Sequence, residues 1–161
     1  MSVAVVREYL KAFQKEDRIQ EFEVSSATVD LAAQAVGVIP ARIAKTLSFH
    51  LGDSAVLVVC AGDTKVDNKK FKATFGTKAR MLTPEQAIEF TGHAVGGVCP
   101  FALPETGVKT CLDVSMKRFE TIFPAAGSAS SAVTLSCDEL EECASNMAGW
   151  VDVCKGWQDE E

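Results

Sequence analysis

One lysine of this chain stands at the start of an apolar stretch. Lys45 follows Ala44 and precedes Thr46 and Leu47. An ammonium group is costly to bury unless an anionic or carbonyl group pairs with it, so this lysine is a candidate for holding a carbonyl or phosphate. The alternative is a side chain whose ammonium reaches water while its methylenes cover apolar surface, and the residue alone favours that alternative.

A glycine-rich loop is the second candidate for chemistry. Gly96 and Gly97 are followed by Val98, Cys99 and Pro100. Glycines let the backbone approach a ligand closely, and a following proline stiffens the turn. Free N–H groups in such a loop are suited to stabilise an oxyanion. An ordinary Gly/Pro turn is the alternative, and the motif by itself does not exclude it.

Two polar stretches follow later in the chain. Asp113 either caps the short helix expected around residues 116–119 or lines the same cavity as the loop. The turn that contains Gly127, Ser128 and Ser131 is either a flexible surface loop or a set of hydroxyls that face a polar substrate. Both alternatives stay open at this point.

Familiar catalytic and metal-binding motifs are missing from the sequence. There is no nucleophile elbow, phosphate-binding lysine loop, dinucleotide fingerprint or zinc-protease motif. His93 has no nucleophile at a recognisable spacing, so a structural role is favoured over a general base. The six cysteines contain no C-x-x-C pair, and we expect reduced, buried thiols. We therefore expect no metal and no cofactor.

Charge is distributed unevenly over this acidic chain, whose net charge is −6. Basic residues concentrate in one stripe, which comprises Lys65, Lys69, Lys70, Lys72, Lys78 and Arg80. Such a stripe is a candidate contact for a phosphate backbone, although a solvated lysine-rich helix face is the more frequent explanation. The net charge argues against strong non-specific binding of nucleic acid.

Length and composition predict one folded domain over residues 1–161. The chain is 47% hydrophobic and 24% charged, which excludes a disordered protein. No apolar run approaches the roughly 18 residues that a membrane span needs. The first residues read as an amphipathic helix rather than a signal peptide, so we expect a cytoplasmic protein. The oligomeric state is not determined by the sequence.

Helices are predicted where apolar residues recur at helical spacing and capping residues flank them. These segments are residues 3–15, 29–36, a short helix at 41–45, 68–75 after Asp67, 84–91 after Thr83, 116–119 and 138–147. Strands are predicted at residues 19–24, 46–51, 55–61, 110–115, 121–126, 132–136 and 150–154. About seven short strands among helices indicate a mixed α/β domain whose sheet is only partly parallel.

In series, five stretches resemble the YbaK/EbsC family of aminoacyl-tRNA deacylases, which includes the editing domain inserted in bacterial prolyl-tRNA synthetases. The stretches are residues 25–49, 67–72, 82–101, 112–128 and 150–154. The resemblance implies a barrel-like mixed sheet wrapped by helices, with the ligand cleft beside the sheet. It also implies hydrolysis of the ester that joins a wrongly attached amino acid to tRNA.

The resemblance assigns roles to the stretches described above. The family's functional lysine corresponds to Lys45, and its Gly-x-x-x-Pro loop to Gly96 through Pro100. On this basis Lys45, Gly96 and Gly97 are the candidate catalytic residues. The candidate substrate-binding residues are Thr46, Val98, Cys99, Pro100, Asp113, Gly127, Ser128 and Ser131, and the basic stripe would hold the acceptor end of tRNA.

One departure from the family concerns specificity. Where some members have Ser-Ala-Gly before a basic turn, this chain has Ala125, Ala126 and Gly127 and then a serine-rich turn. The amino acid removed is therefore not fixed by the resemblance, although a small pocket would select small amino acids by exclusion. No side-chain base is evident, so backbone groups or a substrate hydroxyl would orient the attacking water.

Three functions follow as hypotheses. The first is a free-standing trans-editing deacylase that protects translation fidelity, with tRNA(Pro)-type substrates most expected and a synthetase as a possible partner. The second is a synthetase- or tRNA-associated module that binds an aminoacyl group in the same cleft without turnover. The third is a small-molecule or nucleotide hydrolase on the same fold.

Overall fold

A computed structural model describes residues 3–23, 28–94 and 96–157 of the chain. Its α-helices are α1 (Val3–Lys11), α2 (Val29–Val36), α3 (Asn68–Phe75), α4 (Pro84–Thr91) and α5 (Cys137–Cys143). Its strands are β1 (Ile19–Glu21), β2 (Ile43–Leu51), β3 (Ser54–Ala61), β4 (Lys65–Val66), β5 (Lys109–Asp113), β6 (Phe123–Pro124), β7 (Ser131–Val133), β8 (Met147–Val151) and β9 (Cys154–Lys155).

A curled, mixed sheet of five strands in the order β6-β2-β3-β5-β8 forms the centre of the fold. Strands β2 and β3 make the predicted antiparallel hairpin, and the other three pairings in this sheet are parallel. Two small antiparallel ribbons, β1–β7 and β4–β9, lie outside it. The predicted mixed α/β class and barrel-like sheet are confirmed, with nine strands in the described residues rather than about seven.

Helix ends follow the capping residues of the sequence. Thr83 and Gln86 form a reciprocal capping box at the start of α4, and Asp67 accepts from two N–H groups at the start of α3. Gly76 and Gly92 end these helices in the left-handed conformation that glycine adopts without strain. The strand predicted over 19–24 ends at Glu21, and Val24 and the cap candidates at residues 25–27 lie outside the described residues.

Three local predictions are wrong. Residues 43–45 are not helical, because Ile43 already pairs with β6 and Ala44 with both β3 and β6. The helix predicted at 138–147 ends at Cys143, and Met147 begins β8 alongside Thr110 of β5. The strand predicted at 150–154 is two strands, β8 and β9. In each case pairing with a distant strand overrides local propensity.

The sheet separates two apolar clusters. On one face Ala44, Val59 and Leu112 pack with α1 and α5, while on the other face Phe49 and Val58 pack with α3. All six cysteines are free thiols, five of them buried. Among the described residues no helix is both long and apolar enough to cross a membrane.

Candidate functional site

A cavity of about 360 Å³ lies along the outer edge of β2. Its floor is the strand itself, from Ile43 to Ser48, and its walls come from α2, α4, the glycine-rich loop and the segment around β6 and β7. The remaining lining residues are Thr28, Val29, Ala32, Met81, Leu82, Pro84, Ala87, Gly96, Val98, Phe123, Ala125, Ser131 and Ala132.

The position of this cavity follows from how the edge of β2 is covered. At one end β6 pairs with Ile43 and Ala44. At the other end the His50 N–H donates to the Arg80 carbonyl (2.8 Å), and the Leu82 N–H donates to the Ser48 carbonyl (3.0 Å). Between these two segments, residues 45–47 have no strand partner on this side within the described chain. The cavity fills that gap.

Lys45 is half-buried at the floor of the cavity, and its ammonium donates to the Thr64 carbonyl. This carbonyl is the kind of partner that the sequence predicts for a lysine in an apolar stretch. Its cross-strand neighbour is Cys60. The pKa of Cys60 is lowered, first by a hydrogen bond with the Cys154 thiol and in smaller part by the positive charge of Lys45.

The two glycines of the loop have different surroundings. Gly96 lines the cavity with a φ of 94°, a conformation that glycine tolerates best. Gly97 is buried, and its N–H donates to the Ala94 carbonyl at 2.9 Å. A Cβ on Gly97 would lie 2.9 Å from backbone atoms of Gly127 and Ser128. Its N–H is therefore already bonded and the residue serves close packing, so the oxyanion role of Gly97 stays a prediction.

Behind this loop lies a buried histidine. The Nε2 atom of His93 is 2.8 Å from the Phe101 carbonyl and 3.5 Å from the Cys99 Sγ, while its Nδ1 has no partner among the described residues. Burial lowers the pKa of His93, against a smaller opposite effect of the Phe101 hydrogen bond. Burial also raises the pKa of the Cys99 thiol to about 12, so Cys99 is a neutral packing residue.

Several predicted substrate contacts lie outside the cavity lining. Cys99 and Pro100 are buried residues of the loop and are not part of the cavity lining. Asp113 is fully buried, and its carboxylate accepts from the N–H groups of Ser115 (3.0 Å) and Val153 (2.9 Å). Of the two alternatives for Asp113, the structure supports the cap, and Asp113 is not part of the cavity lining.

The serine-rich turn contributes one lining residue. Ser131 lines the cavity, and its Oγ accepts from the N–H groups of Ala126 and Ser128 and donates to the Ser128 carbonyl. Ser128 and Gly127 therefore shape the turn from behind rather than line the cavity. Thr46 and Val98 do line it, together with Lys45 and Gly96.

The basic stripe is mostly exposed and gains a member that the sequence did not indicate. Lys70 is bound to Asp152 (3.1 Å) and to the Cys154 carbonyl, whereas Lys65 lies directly opposite Lys155 across the β4–β9 ribbon. Lys65 and Lys155 are both exposed. Because Lys155 stands alone in the sequence, no local pattern could have identified it. The other members, Lys69, Lys72, Lys78 and Arg80, are also exposed.

Comparisons with known proteins agree with this geometry. The profile of the "Aminoacyl-tRNA editing domain" family matches residues 23–143. The chain is 51% identical over 159 residues to the "Uncharacterized protein YwhH" of Bacillus subtilis, with 98% of this chain and 100% of that protein covered. It is 31% identical over 91 residues to the proline–tRNA ligase of Thermotoga neapolitana, which is 56% of this chain and 15% of the ligase.

Solved structures show the same fold. A crystal structure described as "a putative trans-editing enzyme for prolyl tRNA synthetase" superposes with a TM-score of 0.85 at 28% identity, covering 96% of this chain and 97% of that one. The "hypothetical protein APE2540" superposes with a TM-score of 0.81 at 27% identity, covering 94% and 99%. These matches therefore establish the editing-domain family of this chain and its relation to prolyl-tRNA synthetases.

Proposed function

We propose, from the premise that this chain belongs to the aminoacyl-tRNA editing domain family, that it hydrolyses the ester of mischarged tRNA in trans. The observation that carries the proposal is the cavity itself, where Lys45 and Gly96 face a common space at an open sheet edge. Action in trans is supported by the 28% identity to the solved structure described as a putative trans-editing enzyme for prolyl tRNA synthetase, 97% of which is covered.

The reaction needs little assistance, because an aminoacyl ester is already activated. Water attacks the acyl carbonyl, the carbonyl oxygen becomes an oxyanion, and the ribose oxygen leaves with a proton. The Gly96 N–H and the ammonium of Lys45 are the candidate groups to stabilise the oxyanion. For Lys45 this requires exchanging its bond to the Thr64 carbonyl for one to the substrate.

Small size and apolar walls define the expected substrate. Apart from Lys45, every described residue that lines the cavity is uncharged. A pocket of about 360 Å³ that also admits part of the terminal ribose leaves room for a small amino acid. We propose small side chains on tRNA(Pro)-type acceptors as the substrates, since exclusion by size separates amino acids that differ by more than a methylene.

The basic stripe is the proposed contact for the acceptor stem. Thr64, whose carbonyl holds the Lys45 ammonium, immediately precedes Lys65, which faces Lys155. Like charges opposite each other on a ribbon destabilise it slightly, and a phosphate between them would remove that penalty. A positively charged surface therefore begins next to Thr64, the residue whose carbonyl binds the Lys45 ammonium.

The test is a panel of mischarged tRNAs, beginning with tRNA(Pro), in which loss of the ester is followed against buffer alone. We expect at least one species to be hydrolysed and Lys45→Ala to slow that hydrolysis by about 10²–10³-fold. Lys11→Ala, which removes an exposed lysine paired only with Glu8, is the matched control. The proposal fails if no ester is hydrolysed faster than in buffer, or if Lys45→Ala is fully active.

One observation favours a second function, a binding module without turnover. The lining of the cavity contains no carboxylate or histidine among the described residues, so no side-chain base is at hand. Such a module would bind a non-hydrolysable aminoacyl-adenosine analogue tightly and leave every charged tRNA intact. Hydrolysis of any tRNA in the panel that depends on Lys45 would exclude it.

A further inference from the structure

On its outer side, away from β3, the backbone at the floor of the cavity has no partner strand among the described residues. Thr46 lies midway between the two segments that cover the edge of β2, the β6 strand at Ala44 and the Arg80–Leu82 segment at Ser48 and His50. It is half-buried and lines the cavity. A buried backbone N–H or C=O without a partner is rare in proteins and points to a ligand or water.

The direction of the Thr46 backbone groups follows from strand alternation. In an antiparallel pair, the N–H and C=O groups of alternate residues point toward the partner strand and those of the residues between point away. Ser48 and His50 use theirs outward, toward Leu82 and Arg80. Thr46 is separated from Ser48 by one residue in the same regular ladder, so its N–H and C=O also point away from β3, toward the cavity.

The glycine-rich loop offers one free candidate donor for an oxyanion, the Gly96 N–H. The Gly97 N–H is already bonded to the Ala94 carbonyl. Gly96 lines the cavity from one side and Thr46 forms the floor on another. An oxyanion hole normally uses two donors, and the Thr46 N–H is the second backbone donor that the sheet directs into this space.

An aminoacyl ester carries the same two groups as a residue of a strand, an amino group and a carbonyl joined through one carbon. Two residues that face each other in a hydrogen-bonded antiparallel pair exchange both bonds. We propose that the main chain of Thr46 binds the aminoacyl group in this way. The α-ammonium donates to the Thr46 carbonyl, and the acyl oxygen accepts from the Thr46 N–H, which becomes the second oxyanion donor with Gly96.

The side chain of Thr46 is not part of this recognition. Its Oγ1 is buried and has no hydrogen-bond partner in the described structure. Thr46→Val removes that hydroxyl and keeps both shape and backbone, so it is the reference in which only the main chain of residue 46 can take part. This variant separates recognition by the main chain from recognition by the hydroxyl.

The inference rests on the proposed function for its substrate, but binding tests it independently. Calorimetric titration with 3′-(alanylamino)-3′-deoxyadenosine should give a dissociation constant at least tenfold lower than titration with the propionyl counterpart, which lacks only the α-amino group. Equal constants would overturn the inference, whether or not the protein hydrolyses tRNA. No hydrolysis of any charged tRNA would overturn the proposed function instead.

The N–H donor is tested by replacing residue 46 with the α-hydroxy acid analogue of valine, which turns the backbone amide into an ester. This variant is compared with Thr46→Val. The exchange replaces the N–H by oxygen and leaves the β3 ladder intact, because this N–H points away from β3. We expect the rate constant for hydrolysis to fall by about 10²–10³-fold. Proline is tolerated in a strand only where the N–H is unpaired, so Thr46→Pro should fold and show the same loss of hydrolysis rate. An unchanged rate in the ester variant would overturn the inference.

Discussion

The open edge at Thr46 and the carboxylate of Asp113 are two polar centres that lie on strands of the same sheet. Asp113 is fully buried, and its two oxygens accept from the N–H of the neighbouring Ser115 and from the N–H of the distant Val153. At Thr46 strand alternation directs the backbone groups toward a cavity, and the hydroxyl has no partner among the described residues. The contrast teaches that buried polarity alone does not mark a site. Polar groups that the fold satisfies hold the structure together, and those left open can bind a substrate.

The largest loss of stability should come from removing the carboxylate of Asp113, whose hydrogen bonds are all made within the fold. Asp113→Ala leaves the N–H groups of Ser115 and Val153 buried without acceptors, and we expect a loss of about 3–5 kcal/mol in the free energy of unfolding. Urea denaturation measures it, with Thr46→Val as the control that should cost almost nothing. A loss below about 1 kcal/mol would mean that Asp113 is not the structural centre described above.

A smaller effect is expected where the loop meets the serine-rich turn. Gly97→Ala places a Cβ 2.9 Å from the backbone of Gly127, so the loop or the turn must move. We expect a loss of about 1–3 kcal/mol in stability together with slower deacylation, because Gly96 moves with its neighbour. Denaturation and single-turnover kinetics measure the two effects. Unchanged kinetics would show that the position of the loop is not critical.

His93 is a polar group that the fold satisfies only in part, because Nε2 is bonded and Nδ1 has no partner among the described residues. Its pKa is lowered by burial, so the unfolded chain binds a proton more readily than the folded one. The contribution to stability is therefore fully present above the unfolded pKa of about 6.5 and declines as the pH falls below it. In a His50→Gln background, where His93 is the only histidine, adding His93→Gln should flatten this pH dependence. A slope that persists without either histidine would contradict the assignment.

The smallest effect is expected on the exposed ribbon. Lys155→Gln should leave stability unchanged and reduce the slope of log(kcat/KM) against log salt by about 0.7–0.9, the amount expected for one lost phosphate contact. Lys109→Gln, at an exposed lysine on β5, is the control. Equal slopes for the two variants would place the acceptor stem elsewhere on the protein.

Much of the framework could be predicted from local patterns. The β2–β3 hairpin, the caps at Asp67 and Thr83 and the glycine stops at Gly76 and Gly92 depend on residues within a few positions of each other. The strand boundaries after residue 143 could not be predicted in this way, because β8 and β9 take their lengths from β5 and β4. Lys155 joins the basic stripe only through that second pairing.

By itself, the sequence determined the fold class and the family, and it singled out Lys45 and Gly96, which both line the cavity. Only the tertiary structure decided which polar groups are free. The Gly97 N–H is bonded within its turn, the Asp113 carboxylate is bonded to a segment 40 residues away, and Thr46 is left open where two distant segments stop short of it. Local patterns specify the period of a strand, whereas the partners of its backbone groups depend on distant segments, whose positions are fixed by packing.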